Sequence, residues 1–250
     1  MSQYASENGL KKRRMLIEDN MSIFEETQKE RDLELSSILK KSYNYVKNLE
    51  ICSEDSIRIY NDENTIETEK DFISLYKEYK YLNLEAHLKT LMFTSIERRG
   101  KILKKLIKNT KNKKCLDFGS GVGSHTIALL EIGNEVDILD VNGPLLKFTQ
   151  ERIKRRGYKV NVFYNDSPLP QNEYDLVICT DVLEHVYDPI YEFDRIYLSL
   201  KKGGKLFLQV SNKIKPSSGH FTRSITLWNK EGIPKLNKKF TKISKDLYIR

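Results

Sequence analysis

The chain has 250 residues, 39% of them hydrophobic, which is enough for one domain with an appendage or for two small domains with a real core. It contains no apolar run near the roughly 18 residues of a membrane span, no secretory signal and no cysteine spacing typical of disulfides or zinc, so we expect a cytoplasmic protein. Its formal net charge is +8, and the excess of Lys and Arg over Asp and Glu lies entirely in residues 211–250.

The first part of the chain, residues 1–108, carries no strong strand signal and little glycine or proline. Apolar residues recur there at helical spacing in two stretches, with a polar segment between them. We therefore predict helices at about 22–50 and 70–108. They form an N-terminal helical region that is expected to cover a binding site as a lid or to serve in oligomerisation.

From residue 109 the pattern changes to short apolar strands that alternate with helices. This alternation predicts a doubly wound, mostly parallel, Rossmann-like α/β sheet over 109–250, with ligands bound at the carboxyl ends of its strands. The predicted strands are Lys114–Phe118, Glu135–Asp140, Lys159–Tyr164, Tyr174–Thr180 and Lys205–Ser211, and the predicted helices are Ser124–Gly133, Pro144–Arg156 and Pro189–Leu200.

A glycine-rich turn follows the first predicted strand. The segment Cys-Leu-Asp-Phe-Gly-Ser-Gly-Val-Gly contains Asp117 and then, at every second position, Gly119, Gly121 and Gly123, with Ser120 between the first two. Glycines take positive φ values and let a ligand approach the backbone closely. A dinucleotide fold spaces its glycines G-x-G-x-x-G, without an acidic residue just ahead of them. The order D-x-G-x-G-x-G instead places a carboxylate where a cationic ligand needs one.

The next two predicted strands also end in polar residues. Asp140, followed by Val141, lies 21 residues after Gly119, and a carboxylate there accepts hydrogen bonds from both hydroxyls of a ribose. That spacing fits NAD enzymes as well. Asp166 follows the third strand and is placed to read an adenine amine. The alternative for Asp166 is an ordinary turn, because its neighbours are turn formers.

The fourth strand is followed by Thr-Asp-Val-Leu-Glu-His-Val. Together with the glycine turn and Asp140, and in the same order, this segment resembles class I S-adenosylmethionine (SAM) methyltransferases of the type-11 and ubiquinone-biosynthesis-like groups, over about residues 114–211. The resemblance implies SAM as the cofactor, whose ammonium and sulfonium are cationic. It places Asp117 and the glycine turn at the methionine side, Asp140 at the ribose and Asp166 at the adenine.

The resemblance also assigns roles to the segment after the fourth strand. Thr180 and Asp181 then lie where the cofactor and the methyl acceptor meet. In a metal-free site, His185 is the candidate base that takes a proton from an acceptor hydroxyl or amine, with His220 as a second candidate catalytic residue. The alternative is a divalent metal bound by Asp181, Glu184, His185 and His220, as Glu-x-x-Glu-His ligands bind one in some relatives. A third interpretation is that the segment only shapes the start of the next helix.

The implied function is transfer of a methyl group from SAM to an oxygen or nitrogen atom of a small-molecule or peptide acceptor. A sulfonium methyl is already activated, so holding the acceptor in line with it supplies most of the acceleration, and no catalytic triad is needed. One alternative is a metal-assisted RNA methyltransferase that uses the basic C-terminal segment on phosphates. Another is a non-catalytic SAM-binding scaffold subunit.

The end of the chain departs from the family pattern. Class I methyltransferases finish with a helix and two antiparallel strands, whereas only 39 residues follow Ser211. We expect one strand within Phe240–Ile249 and a short helix or strand at Ser224–Asn229. An unpaired sheet edge is an association site, so a homodimer is a further expectation. The basic residues 212–250 are predicted either to attract an anionic partner or to form a solvated tail.

Overall fold

The computed structural model of the protein describes residues 22–50, 68–78, 84–97, 100–211 and 220–250. Within these ranges, no helix combines the length and the apolar character that crossing a membrane requires. The predicted helix over 70–108 lies partly outside them, at 79–83 and 98–99.

The core of the described structure is a seven-stranded sheet. The strands are β1 (Lys114–Phe118), β2 (Glu135–Asp140), β3 (Asn161–Tyr164), β4 (Tyr174–Thr180), β5 (Leu200–Gln209), β6 (Thr241–Ser244) and β7 (Leu247–Ile249). Their order across the sheet is β3-β2-β1-β4-β5-β7-β6. The pairs among β1 to β5 are parallel, and β7 is antiparallel to both its neighbours. This confirms the predicted doubly wound, mostly parallel sheet, and the strand order reverses between β1 and β4, where such folds bind ligands.

Helices cover both faces of the sheet and build the N-terminal region. They are α1 (Ser22–Glu25), α2 (Gln28–Leu39), α3 (Tyr43–Asn48), α4 (Glu69–Glu78), α5 (Leu84–Glu97), α6 (Gly100–Lys108), α7 (Ser124–Glu131), α8 (Pro144–Arg155), α9 (Pro189–Ser199), α10 (Thr222–Leu227) and α11 (Ile233–Lys239). A 3₁₀ turn at Leu183–His185 follows β4, and a π-helical turn at Trp228–Gly232 joins α10 to α11.

The first long helix that the sequence predicts, at about 22–50, is in fact broken into the three shorter helices α1, α2 and α3. The start of α2 is fixed by a capping box, in which the Thr27 hydroxyl accepts from the Glu30 N–H and the Glu30 carboxylate accepts from the Thr27 N–H. Its end is fixed by Lys40, which adopts a left-handed conformation with φ of 55°. Apolar periodicity runs across such a break, because the helices on either side pack on the same core.

The two central strands, β1 and β4, are buried on both faces, which explains their continuous apolar runs. Cys115 and Ile178 belong to the apolar layer shared with α6 and α7. Leu116 and Cys179 belong to the opposite layer, together with Phe193 of α9. The predicted bounds of β1, β2 and β4 are confirmed, because burial on both faces leaves a sharp signal in the sequence.

The C-terminal segment forms two strands where the sequence predicts one. The chain reverses at Lys245 and Asp246, and although aspartate is a common turn residue, the turn contains no glycine or proline, so its signal in the sequence is weak. Asp246 anchors the hairpin, because its carbonyl accepts from the Leu208 N–H at 2.9 Å and its carboxylate from the Gln209 amide at 2.8 Å. The helix-and-two-strand ending of class I methyltransferases is therefore present.

The basic end of the chain is folded rather than a solvated tail over 220–250. Lys235 and Lys239 both pair with the Asp194 carboxylate of α9. The Lys239 ammonium also lies 4.1 Å from the centre of the Tyr197 ring. Part of the positive charge is thus used within the fold, and an anionic partner for this segment stays a prediction.

Candidate functional site

The glycine turn after β1 is shaped by close packing. Gly119, Gly121 and Gly123 have φ values of 75°, 53° and 74°, which disfavour any residue with a Cβ. A Cβ on Gly119 would lie 2.3 Å from the Val182 side chain, and one on Gly123 would lie 2.6 Å from that of Thr149. A Cβ on Gly121 would meet no described atom within 4 Å. The outer glycines are therefore needed for packing, while the central one faces space that no described atom fills.

Backbone hydrogen bonds hold this turn against the carboxyl end of β2. The Gly119 and Ser120 N–H groups both donate to the Leu139 carbonyl, at 2.8 and 3.2 Å. The Gly123 N–H closes the turn by donating to the Ser120 carbonyl at 2.8 Å. The hydroxyl of the buried Ser120 lies 3.5 Å from the Asp140 carboxylate. The turn and the end of β2 thus form one unit.

Asp140 lies at the centre of this unit and is half-buried. One carboxylate oxygen accepts from the Gly121 N–H and the other from the Val141 N–H, each at 2.7 Å. Burial raises the pKa of Asp140 to about 6, although the hydrogen bonds from Gly121, Val141 and Ser120 act to lower it. Two carboxylate oxygens offer about four acceptor positions, so capacity remains for ribose hydroxyls. The donor set and the open space at Gly121 fit a nucleoside-bearing cofactor.

Asp117 lies beneath the turn and is 1% exposed. One of its oxygens accepts from the Thr126 N–H at 3.1 Å and from the Thr126 hydroxyl at 2.6 Å. Its other oxygen lies 3.9 Å from Nδ1 of His125. Asp117 therefore ties the end of β1 to the first turn of α7. Its predicted contact with the methionine part of the cofactor stays a prediction.

Asp166 is exposed in a tight turn after β3. The Ser167 N–H donates to the Tyr164 carbonyl at 2.9 Å, which closes the turn around it. Arg195 of α9 holds the same turn by donating to the Asn165 and Ser167 carbonyls at 2.8 and 2.7 Å. Sequence reasoning did not single out Arg195, because a lone arginine on a helix carries no motif.

Thr180 ends β4 and Asp181 follows it, beside the glycine turn. Thr180 is buried, and Asp181 is exposed with φ of 52°, a left-handed conformation that costs energy in a residue other than glycine. The Asp181 N–H donates to the Gln209 carbonyl at 3.1 Å, which keeps the chain beside β5. This conformation turns the chain sharply into the 3₁₀ turn that carries Glu184 and His185.

Three of the four predicted metal ligands lie close together, two of them in the 3₁₀ turn after β4 and the third at His220. Glu184, His185 and His220 each place one ligand atom within 4.8 Å of the others. Glu184 is fully buried and accepts from the Ser211 N–H at 2.8 Å. The rings of His185 and His220 lie 4.9 Å apart. Asp181 is not a member of this cluster of described residues, so the structure narrows the alternative metal set to the other three.

Helix α4 of the N-terminal region lies over the carboxyl edge of the sheet. A Cβ on Gly143, after β2, would lie 2.6 Å from the Tyr76 carbonyl. The Tyr76 hydroxyl donates to the His185 carbonyl, after β4, at 3.4 Å. Phe72 packs on Phe221 at the start of α10, with ring centres 4.2 Å apart. Helix α4 therefore contacts both the segment after β2 and the segment after β4. Helical periodicity alone does not reveal this position.

Two side chains of α8 hold the glycine turn from the other side. The Thr149 hydroxyl donates to the Gly121 carbonyl, and the Arg152 guanidinium donates to the Val122 carbonyl at 2.5 Å. Neither residue was predicted as part of the site. A polar residue on the buried face of an amphipathic helix is the signal that points to such a role.

Comparison with known proteins agrees with this geometry. The model of a family described as a methyltransferase domain matches residues 84–241. An uncharacterized protein of Methanocaldococcus jannaschii is 33% identical over 147 residues, 58% of this chain and 61% of that protein. A ubiquinone biosynthesis O-methyltransferase of Coxiella burnetii is 28% identical over 106 residues, 41% of this chain and 45% of that protein. The matches thus span less than two thirds of these curated relatives.

Solved structures are similar at lower identity. A protein of Pyrococcus horikoshii OT3 is 20% identical, with a TM-score of 0.48 over 70% of this chain and 97% of that one.

Proposed function

The chain belongs to the methyltransferase domain family, and on that premise we propose that it transfers a methyl group from SAM to an oxygen or nitrogen atom of a small-molecule acceptor. The observation that carries this proposal is the unit formed by the Gly121 backbone and the Asp140 carboxylate at the point where the strand order reverses. The name of the Coxiella relative, a ubiquinone biosynthesis O-methyltransferase, supports a small-molecule acceptor.

In this proposal the residues after β1 and β2 hold the cofactor. The Asp140 carboxylate accepts the ribose hydroxyls, and the open side of Gly121 lets the ligand lie against the backbone. When bound, SAM supplies a methyl group that its sulfonium already activates toward a nucleophile. The protein's work is to align the acceptor with that group and to exclude water.

The acceptor is proposed to enter between α4 and the segment after β4. Tyr76 and Phe72 of α4 contact the His185 backbone and the Phe221 ring, so aromatic side chains pack between α4 and the segments that carry the two histidines. His185 is the proposed base that takes the proton from an acceptor hydroxyl, with His220 beside it. These apolar, aromatic surroundings favour a small organic acceptor over a long phosphate backbone.

Calorimetry on the full chain with SAM, S-adenosylhomocysteine and NAD tests the cofactor. We expect SAM and S-adenosylhomocysteine to bind at micromolar concentration and NAD to show no binding, because the glycine turn D-x-G-x-G-x-G departs from the G-x-G-x-x-G spacing of dinucleotide folds. Binding of NAD without SAM would contradict the proposal. Transfer of label from methyl-labelled SAM to phenols, amines, peptides and RNA then identifies the acceptor, and label in the RNA fraction alone would favour the RNA alternative.

A second candidate is metal-assisted transfer, which the Glu184, His185 and His220 cluster favours. One carboxylate and two imidazoles suit Zn²⁺ or Mn²⁺ better than Mg²⁺, which prefers oxygen ligands. These three residues would hold the ion, and it would supply a Lewis acid next to the acceptor oxygen. The acceptor would then be an alcohol or phenol.

Replacement of His220 by alanine tests this second candidate. If the cluster binds metal, equilibrium dialysis with Zn²⁺ should show one ion per wild-type chain and affinity at least roughly tenfold lower in the variant, because one of three ligands is lost. Asp181→Asn is the matched control, since Asp181 is adjacent in sequence but outside the cluster, and it should bind Zn²⁺ as the wild type does. Equal binding by wild type and His220→Ala would rule the metal site out.

A further inference from the structure

The glycine turn depends on a buried arginine from α8. The Arg152 side chain is 2% exposed, and its guanidinium donates to the Val122 carbonyl at 2.5 Å and lies 3.4 Å from the Ser124 hydroxyl. Val122 lies between Gly121 and Gly123. The Val122 carbonyl is part of the planar peptide unit that joins Val122 to Gly123. The direction of this carbonyl therefore fixes the orientation of the backbone between Val122 and Gly123. Arg152 thus sets the shape of the turn at its second half.

The charge of Arg152 is compensated from the N-terminal helical region. One carboxylate oxygen of Glu34, in α2, accepts from two nitrogens of Arg152, at 2.9 and 3.2 Å. A buried guanidinium without such a partner is strongly unfavourable, so the pair fixes where the guanidinium lies. Burial alone would raise the pKa of Glu34, but the guanidinium groups of Arg152 and Arg156 outweigh it and lower the pKa to about 2. Glu34 is therefore ionised at neutral pH.

A second arginine extends this network away from the turn. Arg156 pairs with the other oxygen of Glu34 at 2.9 Å, with Glu26 at 2.8 Å and with Glu131 at 3.4 Å. None of these three carboxylates belongs to the glycine turn. Arg156, directly after α8, therefore attaches α2 and the residue after α1 to α7, whereas Arg152 is the member of the described network that reaches the Val122 carbonyl.

We propose that Glu34 is a positioning residue for cofactor binding, which acts by orienting Arg152 and through it the Val122 carbonyl. The inference rests on the proposed SAM site. It assigns a specific role to the N-terminal helical region, in which the sequence shows no known motif. Through Glu34, this region sets the affinity for SAM of a glycine turn that lies more than 80 residues further along the chain. A detached or tilted α2 would release Arg152 and loosen the turn.

The test compares Glu34→Gln with Glu26→Gln in the full chain. Each variant removes one negative charge from the same network, so both should melt at a lower temperature than the wild type. Of the two glutamates, Glu34 is the one that pairs with Arg152, so calorimetry below both melting temperatures should give a Kd for SAM roughly tenfold higher in Glu34→Gln and within about twofold of wild type in Glu26→Gln.

A second readout uses the protein without ligand. Amide NMR signals of Gly121 and Gly123 should shift in Glu34→Gln and stay in place in Glu26→Gln, because only the first substitution changes the Val122 peptide. If Glu34→Gln does not fold, Glu34→Asp carries the same comparison, with a smaller rise in Kd. Equal Kd values and equal amide shifts in the two variants would overturn the role of Glu34 alone. A wild-type protein that fails to bind SAM would overturn the proposed function and this role with it.

Discussion

Replacing Gly119 by alanine is expected to abolish measurable SAM binding, with a loss of at least roughly a hundredfold in affinity, and to destabilise the fold by about 2–4 kcal/mol. The φ of 75° disfavours alanine, and its Cβ would lie 2.3 Å from Cγ2 of Val182. Because the Cβ of Val182 would also lie within 3.3 Å, a rotation of this branched side chain does not relieve the contact fully, and the turn has to move away from the segment after β4. That movement would strain the hydrogen bond of the Gly119 N–H to the Leu139 carbonyl. Calorimetry with SAM and thermal unfolding measure the two effects.

The chain offers a matched control and a rescue for this prediction. Gly157, after α8, has φ of 78°, but a Cβ there would meet no described atom within 4 Å. Gly157→Ala should therefore cost only about 1 kcal/mol and leave SAM affinity unchanged. Adding Val182→Ala to Gly119→Ala removes the clashing methyl and should restore part of the stability. A Gly119→Ala protein as stable as Gly157→Ala, with normal SAM affinity, would contradict the packing that we describe.

Sequence reasoning could place those parts of the candidate site that directly follow a predicted strand, because the strand order fixes where its carboxyl end lies. The glycine turn and Asp140 follow directly after buried strands, and the carboxyl ends of parallel strands meet at one sheet edge. Their closeness is therefore a consequence of topology. The hydrogen bond between the Gly121 N–H and Asp140 is the atomic detail of that same closeness.

The remainder of the site depends on contacts between segments far apart in sequence. Tyr76, Arg152 and Glu34 lie on helices, and the pattern of apolar residues along a helix shows at most which face is buried, not what covers it. The Glu34–Arg152 pair joins residues 118 positions apart. No local spacing rule connects such residues. The packing of α4 over the carboxyl edge of the sheet and the contact of Arg152 with the glycine turn were therefore found only in the structure.

The C-terminal hairpin was missed for a related reason. Its strands β6 and β7 have three or four residues each, and both are partly exposed, so neither has the apolar run that marked β1 and β4. What stabilises β7 is pairing with β5, for example between Phe207 and Leu247. The tertiary environment therefore decided a strand that local propensity left ambiguous.

Replacing Asp140 by asparagine is expected to weaken SAM binding by roughly a hundredfold, since hydrogen bonds to a charged acceptor contribute about 1.5–3 kcal/mol each. The two carboxylate oxygens already accept from the Gly121 and Val141 N–H groups. An amide has only one oxygen, so its NH₂ would face one of these donors and could not accept a ribose hydroxyl. The matched control is Asp175→Asn, because Asp175 also accepts a backbone N–H, from Lys114, but lies near the start of β4, at the opposite edge of the sheet.

The pH dependence of binding separates the role of the Asp140 charge from that of its shape. Because its pKa is raised to about 6, Asp140 is ionised at pH 7.5 and largely protonated at pH 5. A bound ribose favours the ionised form, so SAM affinity should fall as the pH is lowered through about 6, and binding near pH 6 should release a proton. Calorimetry in buffers of different ionisation enthalpy counts that proton, and Asp140→Asn should release none.

The raised pKa of Asp140 also affects the stability of the ligand-free protein, but in the opposite direction: protonation of this carboxyl weakens SAM binding and stabilises the fold. A carboxyl whose pKa is higher in the folded than in the unfolded state stabilises the fold below the unfolded value of about 3.8, and this contribution is lost as the pH rises through about 6. Asp140 therefore destabilises the free protein at neutral pH, where SAM needs its charge. Acidification from pH 7 to pH 5 should lower SAM affinity while this group adds stability. A wild-type affinity that does not change over that range would show that Asp140 does not bind the ribose through its charge.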